Sequence, residues 1–121
     1  MSFAFWTVTL AVVLGAGLSF LFLNPVWRRP AWVAAIHGIV GATGLGLLIL
    51  ALRTQDPRAE ALGVGAFAKY AAVLLSAALI LGLVIGFGPL SIRRRRGFLI
   101  AIHGTIAISG FVLFMAYRSL G

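Results

Sequence analysis

The sequence predicts an all-α membrane protein: four transmembrane helices, built as a duplicated helical hairpin and closed into a four-helix bundle. Three observations predict it. Of 121 residues, 62% are apolar and 10% charged, against about 25% charged in an ordinary soluble domain. Phe3–Leu23, Ala31–Leu52, Leu62–Phe87 and Phe98–Tyr117 are apolar runs, each of roughly 20 or more residues and so able to cross a ~30 Å hydrocarbon core. Finally, "RRPAWVAAIHGIVG" at 28–41 returns as "RRRGFLIAIHGTIA" at 94–107.

The elements follow in order. No positive residue precedes the first run, which is also too long for a signal peptide and lacks a small-residue cleavage pattern; it reads as a retained helix. Asn24-Pro25 closes it, and Pro30 suits the first turn of the second helix. Asp56 followed by Pro57 starts the third helix, a juxtamembrane turn or two before Leu62. Gly88-Pro89 ends that helix, and the fourth runs to Tyr117. Trp6, Trp27 and Trp32 fall near span ends, where an interfacial belt belongs. Nearly the whole chain is consumed, so residues 1–121 form one domain with repeat halves of about 1–53 and 54–121. Cysteine is absent, which excludes disulfide and thiolate chemistry.

A net charge of +8 would point to nucleic acid in a soluble protein. Here it reads as topology, and no nucleic-acid module is present. Arg28 and Arg29 lie in the first loop and Arg93 to Arg96 in the third. The second loop offsets Arg53 and Arg58 with Asp56 and Glu60. The positive-inside rule places loops one and three in the cytoplasm and both termini outside.

The halves correspond. Arg28, Arg29, Ala35, Ile36, His37, Gly38, Gly44 and Leu47 match Arg94, Arg95, Ala101, Ile102, His103, Gly104, Gly110 and Leu113 at an offset of 66. Spans one and three align more weakly, at an offset of 65. Each half runs inward and then outward, so the pseudo-two-fold lies along the membrane normal. Symmetry then sets His37 and His103, the only two histidines, at one depth.

His37, Gly41, Gly44 and Leu48 share one helical stripe, as do His103, Ala107, Gly110 and Phe114. Each stripe sets an imidazole beside small residues. Small residues admit a flat ligand close to the backbone, and equally serve helix packing. An imidazole inside a membrane is itself a functional-site hypothesis. Two readings compete: hydrogen bonds to a Ser, a Thr or a backbone carbonyl, or to each other; and axial ligation of one iron. Imidazoles at equal depth, facing across a symmetry axis, fit the two axial positions of haem, or of another tetrapyrrole such as a bacteriochlorophyll. A porphyrin between them would put the second and fourth helices on a diagonal, with the first and third as walls. Gly38, Gly41, Gly44, Gly104 and Gly110 would make room for the ring. Its propionates would reach Arg28, Arg29, Arg94 and Arg95, where charge-assisted pairs are strong.

What is absent narrows the chemistry. None of the four apolar runs contains Asp or Glu, so proton relays and His–carboxylate metal sites lack their groups. Lys69 should snorkel to the interface. Ser76, Thr105 and Ser109 could position a ligand, though such hydroxyls commonly bond their own helix.

With "AIHG" at His37 and again at His103, the pattern resembles the small b-type membrane cytochromes, such as the bacterial cytochrome b561 and superoxide oxidase group. The resemblance covers the architecture of the whole chain. It implies a four-helix bundle holding haem between histidines of different helices and exchanging electrons with quinone. That group holds two haems; this chain supplies one histidine pair, with Met115 the only other soft ligand inside a span. The expectation is therefore one haem b per chain, with His37 and His103 as iron ligands and one-electron transfer to or from quinone or a redox partner protein. The setting would be the lipid bilayer of a bacterial inner membrane, with periplasmic termini. An electron-transfer protein or subunit fits better than a stand-alone enzyme, and a homodimer or membership of a larger complex is compatible. The competing expectation is a structural or accessory subunit whose histidines only pack, tetrapyrrole-binding or not. A dimeric pore or transporter is disfavoured by the scarcity of polar residues in the spans.

Overall fold

The computed structural model describes residues 1–24, 31–54, 57–89 and 94–120. Five helices are present among them: α1 (Ser2–Leu23), α2 (Ala31–Leu52), a short α3 (Pro57–Ala61), α4 (Gly65–Phe87) and α5 (Arg96–Leu120). There is no strand among the described residues. The four long helices are each long and apolar enough to cross a membrane, and the chain is a multi-pass membrane protein.

The juxtamembrane turn before the third span is present as α3, but it does not run into α4. Gly63 adopts a φ of +68°, a left-handed conformation that a residue with a Cβ rarely takes. The chain turns there, and the span begins at Gly65 instead of Leu62. At the other end of α4, the Gly88 N–H donates to the Val84 carbonyl at 2.8 Å and closes the helix.

The bundle is two antiparallel hairpins, α1 with α2 and α4 with α5. Between the hairpins, α2 packs on α4 and α1 on α5. The order around the bundle is thus α1, α2, α4, α5, and α2 lies diagonally opposite α5. Lipid-facing helices gain nothing from hydrophobic exclusion, so close van der Waals contact between small residues must hold them. That is what the hairpins use. A Cβ on Gly44 would stand 2.8 Å from Val8 Cγ2 and 3.0 Å from the Val8 backbone nitrogen. A Cβ on Gly110 would stand 3.0 Å from Leu75 Cγ and 3.1 Å from Leu74 Cβ.

Packing is uneven along the bundle axis. Ala4, Val8, Leu48, Ala68, Ala71, Phe114 and Tyr117 form the buried core, with Phe5 stacked on Phe111 and set edge-on to Phe114. All of it lies toward the end that carries the chain termini. In the opposite half, toward the arginine loops, no described residue of 12–24, 31–43, 79–89 or 94–109 is buried. The histidines mark the boundary.

Candidate functional site

His37 projects from α2 against α1, and its Nδ1 lies 2.9 Å from the Ala11 carbonyl oxygen. His103 projects from α5 against α4, with Nδ1 2.8 Å from the Ala78 carbonyl oxygen. A carbonyl can only accept, so each Nδ1 carries the proton and donates. In the neutral ring this leaves the lone pair on Nε2. Both histidines are half-buried. Their ring centroids are 6.1 Å apart, with planes at 82°. The two imidazoles thus meet across the diagonal, and do so in one tautomer.

Glycine makes this possible. Each accepting carbonyl belongs to a helix that already uses it in the backbone ladder, and the imidazole takes its second lone pair. Four residues on in α1 is Gly15, where an added Cβ would lie 2.8 Å from His37 Cε1. Four residues beyond Ala78 is Gly82, where it would lie 3.2 Å from His103 Cε1. The missing side chain is what admits each ring to the helix surface.

These contacts correct the alignment of spans one and three. Ala11 and Ala78, and Gly15 and Gly82, are structural equivalents at an offset of 67, not 65. The buried Ala4 and Ala71 obey the same offset. The second and fourth spans differ by 66, so the path between equivalent positions is one residue shorter in the second half, 25 residues from Ala78 to His103 against 26 from Ala11 to His37. The signal for these four residues was in the sequence, as "Ala-x-x-x-Gly" at 11–15 and 78–82. Leu and Gly identities, abundant in every span, favoured the wrong register.

The glycines expected to make room for a ring separate into three kinds. Val8 fills the space beside Gly44, and Leu74 and Leu75 fill that beside Gly110, so these two set helix spacing. Gly41 is in ordinary contact, its would-be Cβ 3.9 Å from that of Ala11. At Gly38 and Gly104 an added Cβ meets nothing within 4 Å. Beside the histidines, Gly38 and Gly104 therefore face open space instead of a neighbouring helix.

Arg94 and Arg95 are exposed in a turn just before α5; Arg28 and Arg29 lie outside the described residues, as do Trp27, Asp56 and Arg93. Neighbouring Arg96 donates from Nη2 to the Ile85 carbonyl at 3.1 Å, satisfying one of the last carbonyls of α4. Ser76, Thr105 and Ser109 each donate to the carbonyl four residues back. Lys69 pairs with Glu60 at 3.4 Å on the surface.

No cluster of three or more His, Cys, Asp or Glu exists among the described residues, so their side chains alone offer no complete metal shell. Two imidazoles suit an ion whose remaining ligands arrive with it, as iron does in a porphyrin. With metal–imidazole bonds of about 2 Å, two imidazoles sharing an ion through Nε2 have centroids about 6 Å apart, which the observed separation matches. Backbone-anchored Nδ1–H groups are the usual outer support of a ligating histidine. The residues present fit the group. No family model, curated protein or solved structure matches this chain.

Proposed function

We propose that the protein is a membrane b-type cytochrome in which His37 and His103 ligate a single haem b. It would pass single electrons to or from quinone or a redox partner protein. The observation that carries this reading is the matched pair of Nδ1–H···O=C bonds, to Ala11 and Ala78, which leaves two Nε2 lone pairs on rings 6.1 Å apart. No described residue on the arginine-loop side is buried, so no packed core closes the helices on one another there.

When bound, haem supplies a one-electron iron couple. The chain's own residues would hold it and set its environment. His37 and His103 would both be used in holding the iron, which favours one-electron transfer over oxygen activation. The carbonyls of Ala11 and Ala78 polarise the Nδ1–H groups and fix ring orientation, which makes each Nε2 a better donor. Exposed Arg94 and Arg95, with Arg28 and Arg29 of the first loop, provide charge for propionates. The packed Phe5, Leu48, Phe114 and Tyr117 end keeps water from the far side of the site. The setting is a bacterial inner membrane with loops one and three cytoplasmic. A single site within the bundle, with His37 at the seventh residue of α2, cannot carry electrons across ~30 Å by itself, so a partner is required.

A second reading has its own support. The same Nδ1–H bonds pin α2 to α1 and α5 to α4, as structural histidines of an accessory subunit would. The visible spectrum separates the two. A cytochrome purified from haem-replete cells shows the sharp split bands of reduced low-spin bis-imidazole haem, at one haem per chain. His37→Ala and His103→Ala each abolish them. Colourless parent protein would refute the cytochrome, and a single-histidine variant that keeps the spectrum would show that the ligands come from elsewhere.

A further inference from the structure

His37 and His103 are fixed in orientation as well as in tautomer. Their ring planes cross at 82°, and the bundle supplies the reason. Each Nδ1–H is drawn to the hairpin partner of its own helix, His37 to Ala11 of α1 and His103 to Ala78 of α4. With α2 and α5 on one diagonal, α1 and α4 stand on opposite sides of it. The two rings are therefore pulled in opposite directions, and the pseudo-two-fold makes their rotations equal in size and opposite in sense.

Glycine decides how far each ring can turn. A Cβ at Gly15 would stand 2.8 Å from His37 Cε1 and almost equally far from the two nitrogens, 3.4 Å from Nδ1 and 3.5 Å from Nε2. The ring thus rests its Nδ1–Cε1–Nε2 edge on the bare backbone of α1. His103 rests on Gly82 in the same way, with Cε1 nearest at 3.2 Å and Nδ1 at 3.5 Å from the added atom. The histidine torsion next to the ring is broad and soft, so the side chain by itself selects no plane. The carbonyl that takes the proton and the glycine that receives the edge select it together.

We infer that Ala11 with Gly15, and Ala78 with Gly82, are positioning residues that keep the two axial imidazoles crossed at nearly a right angle when haem is bound. The inference rests on the cytochrome reading. Ring planes matter because an imidazole donates π density to iron only perpendicular to its own plane. Parallel rings donate to the same iron dπ orbital and split the pair. Crossed rings donate one to each and leave the pair nearly degenerate. The ferric hole then has no single raised orbital to occupy, so ferric iron is less stabilised and the site is more readily reduced. Contacts that orient a ligand from the outer shell are a general lever on the electronics of a bound metal.

The test is electron paramagnetic resonance of the oxidised, haem-loaded full chain in a non-ionic detergent. Near-degenerate dπ orbitals give one strong low-field line, with the other two features broadened away; parallel planes give three resolved lines. The parent shows the first pattern. In Gly15→Ala the new methyl turns the His37 plane, so the low-field line moves to higher field and the other two emerge, while the visible spectrum remains that of bis-imidazole haem. Gly46→Ala, on α2 with nothing within 4 Å of its added Cβ, keeps the parent line. If Gly15 served packing alone, its alanine variant would lose stability and leave the line in place, which overturns the inference. A Gly46→Ala line displaced as far as that of Gly15→Ala overturns it too. A haem-loaded parent with three resolved lines does so without any variant having to fold, and leaves the cytochrome reading intact. A colourless parent refutes the cytochrome reading itself, and the inference with it.

Discussion

Gly15→Ala and Gly82→Ala make the same chemical change at equivalent positions, and the geometry makes them differ. At Gly15 the new methyl would stand 2.8 Å from His37 Cε1, where ordinary contact begins about 0.6 Å further out. A ring that retreats by that amount stretches its 2.9 Å bond to Ala11 to about 3.5 Å, where a hydrogen bond fails. The lost bond costs about 0.6 kcal/mol in a membrane protein. Overpacking adds about 1–3 kcal/mol, and the better helix propensity of alanine returns about 1 kcal/mol. The expected net is a destabilisation of about 0.6–2.6 kcal/mol. At Gly82 the methyl would stand 3.2 Å from His103 Cε1, so a shift of about 0.2 Å relieves it and the 2.8 Å bond to Ala78 survives. Gly82→Ala should be neutral to stabilising by up to about 1 kcal/mol, the propensity gain less the cost of that small shift. Reversible unfolding from detergent micelles measures the energies. Nitrogen-15 spectra of histidine-labelled protein read the tautomer: His37 loses its uniform Nδ1–H form in Gly15→Ala, while His103 keeps its own in Gly82→Ala. If Gly15→Ala were as stable as Gly82→Ala and left His37 in the Nδ1–H tautomer, the glycine-gated contact would be refuted.

Other substitutions test other parts of the structure. Gly44→Ala, whose Cβ would meet Val8 side chain and backbone at 2.8 and 3.0 Å, should cost about 1–3 kcal/mol. Gly46→Ala, which meets nothing within 4 Å, should be neutral or slightly stabilising in the same unfolding assay. Phe114→Ala removes a fully buried ring and should cost about 3–5 kcal/mol. On the cytochrome reading, Arg94→Gln with Arg95→Gln keeps the bis-imidazole spectrum and shifts its midpoint potential, measured by redox titration; an unchanged potential would remove these arginines from the site. Topology is checked by reporter fusions: one at Gly121 reads periplasmic and one between Ser91 and Arg93 reads cytoplasmic, the reverse pattern contradicting the charge argument.

The sequence by itself determined the four spans, because crossing a bilayer imposes length and apolarity on contiguous residues, and both are local. It also determined that His37 and His103 are equivalent, since the Arg-Arg and Ile-His-Gly identities repeat at one spacing. Hydroxyls such as Ser76 and Thr105 bond their own helices, as spans lacking other acceptors require. Tertiary structure decided the rest. That Gly44 and Gly110 close the hairpins while Gly15 and Gly82 seat the imidazoles could not be read from composition, because a glycine looks the same whether a neighbour fills its space or not. The register of α1 against α4 was set by which carbonyl each histidine reaches, a contact between residues 25 or 26 apart. Gly63 broke the third helix by a backbone angle that no periodicity records. Burial confined to one half of the bundle likewise has no sequence signal, since both halves are equally apolar; it arises from where large and small side chains meet across helices.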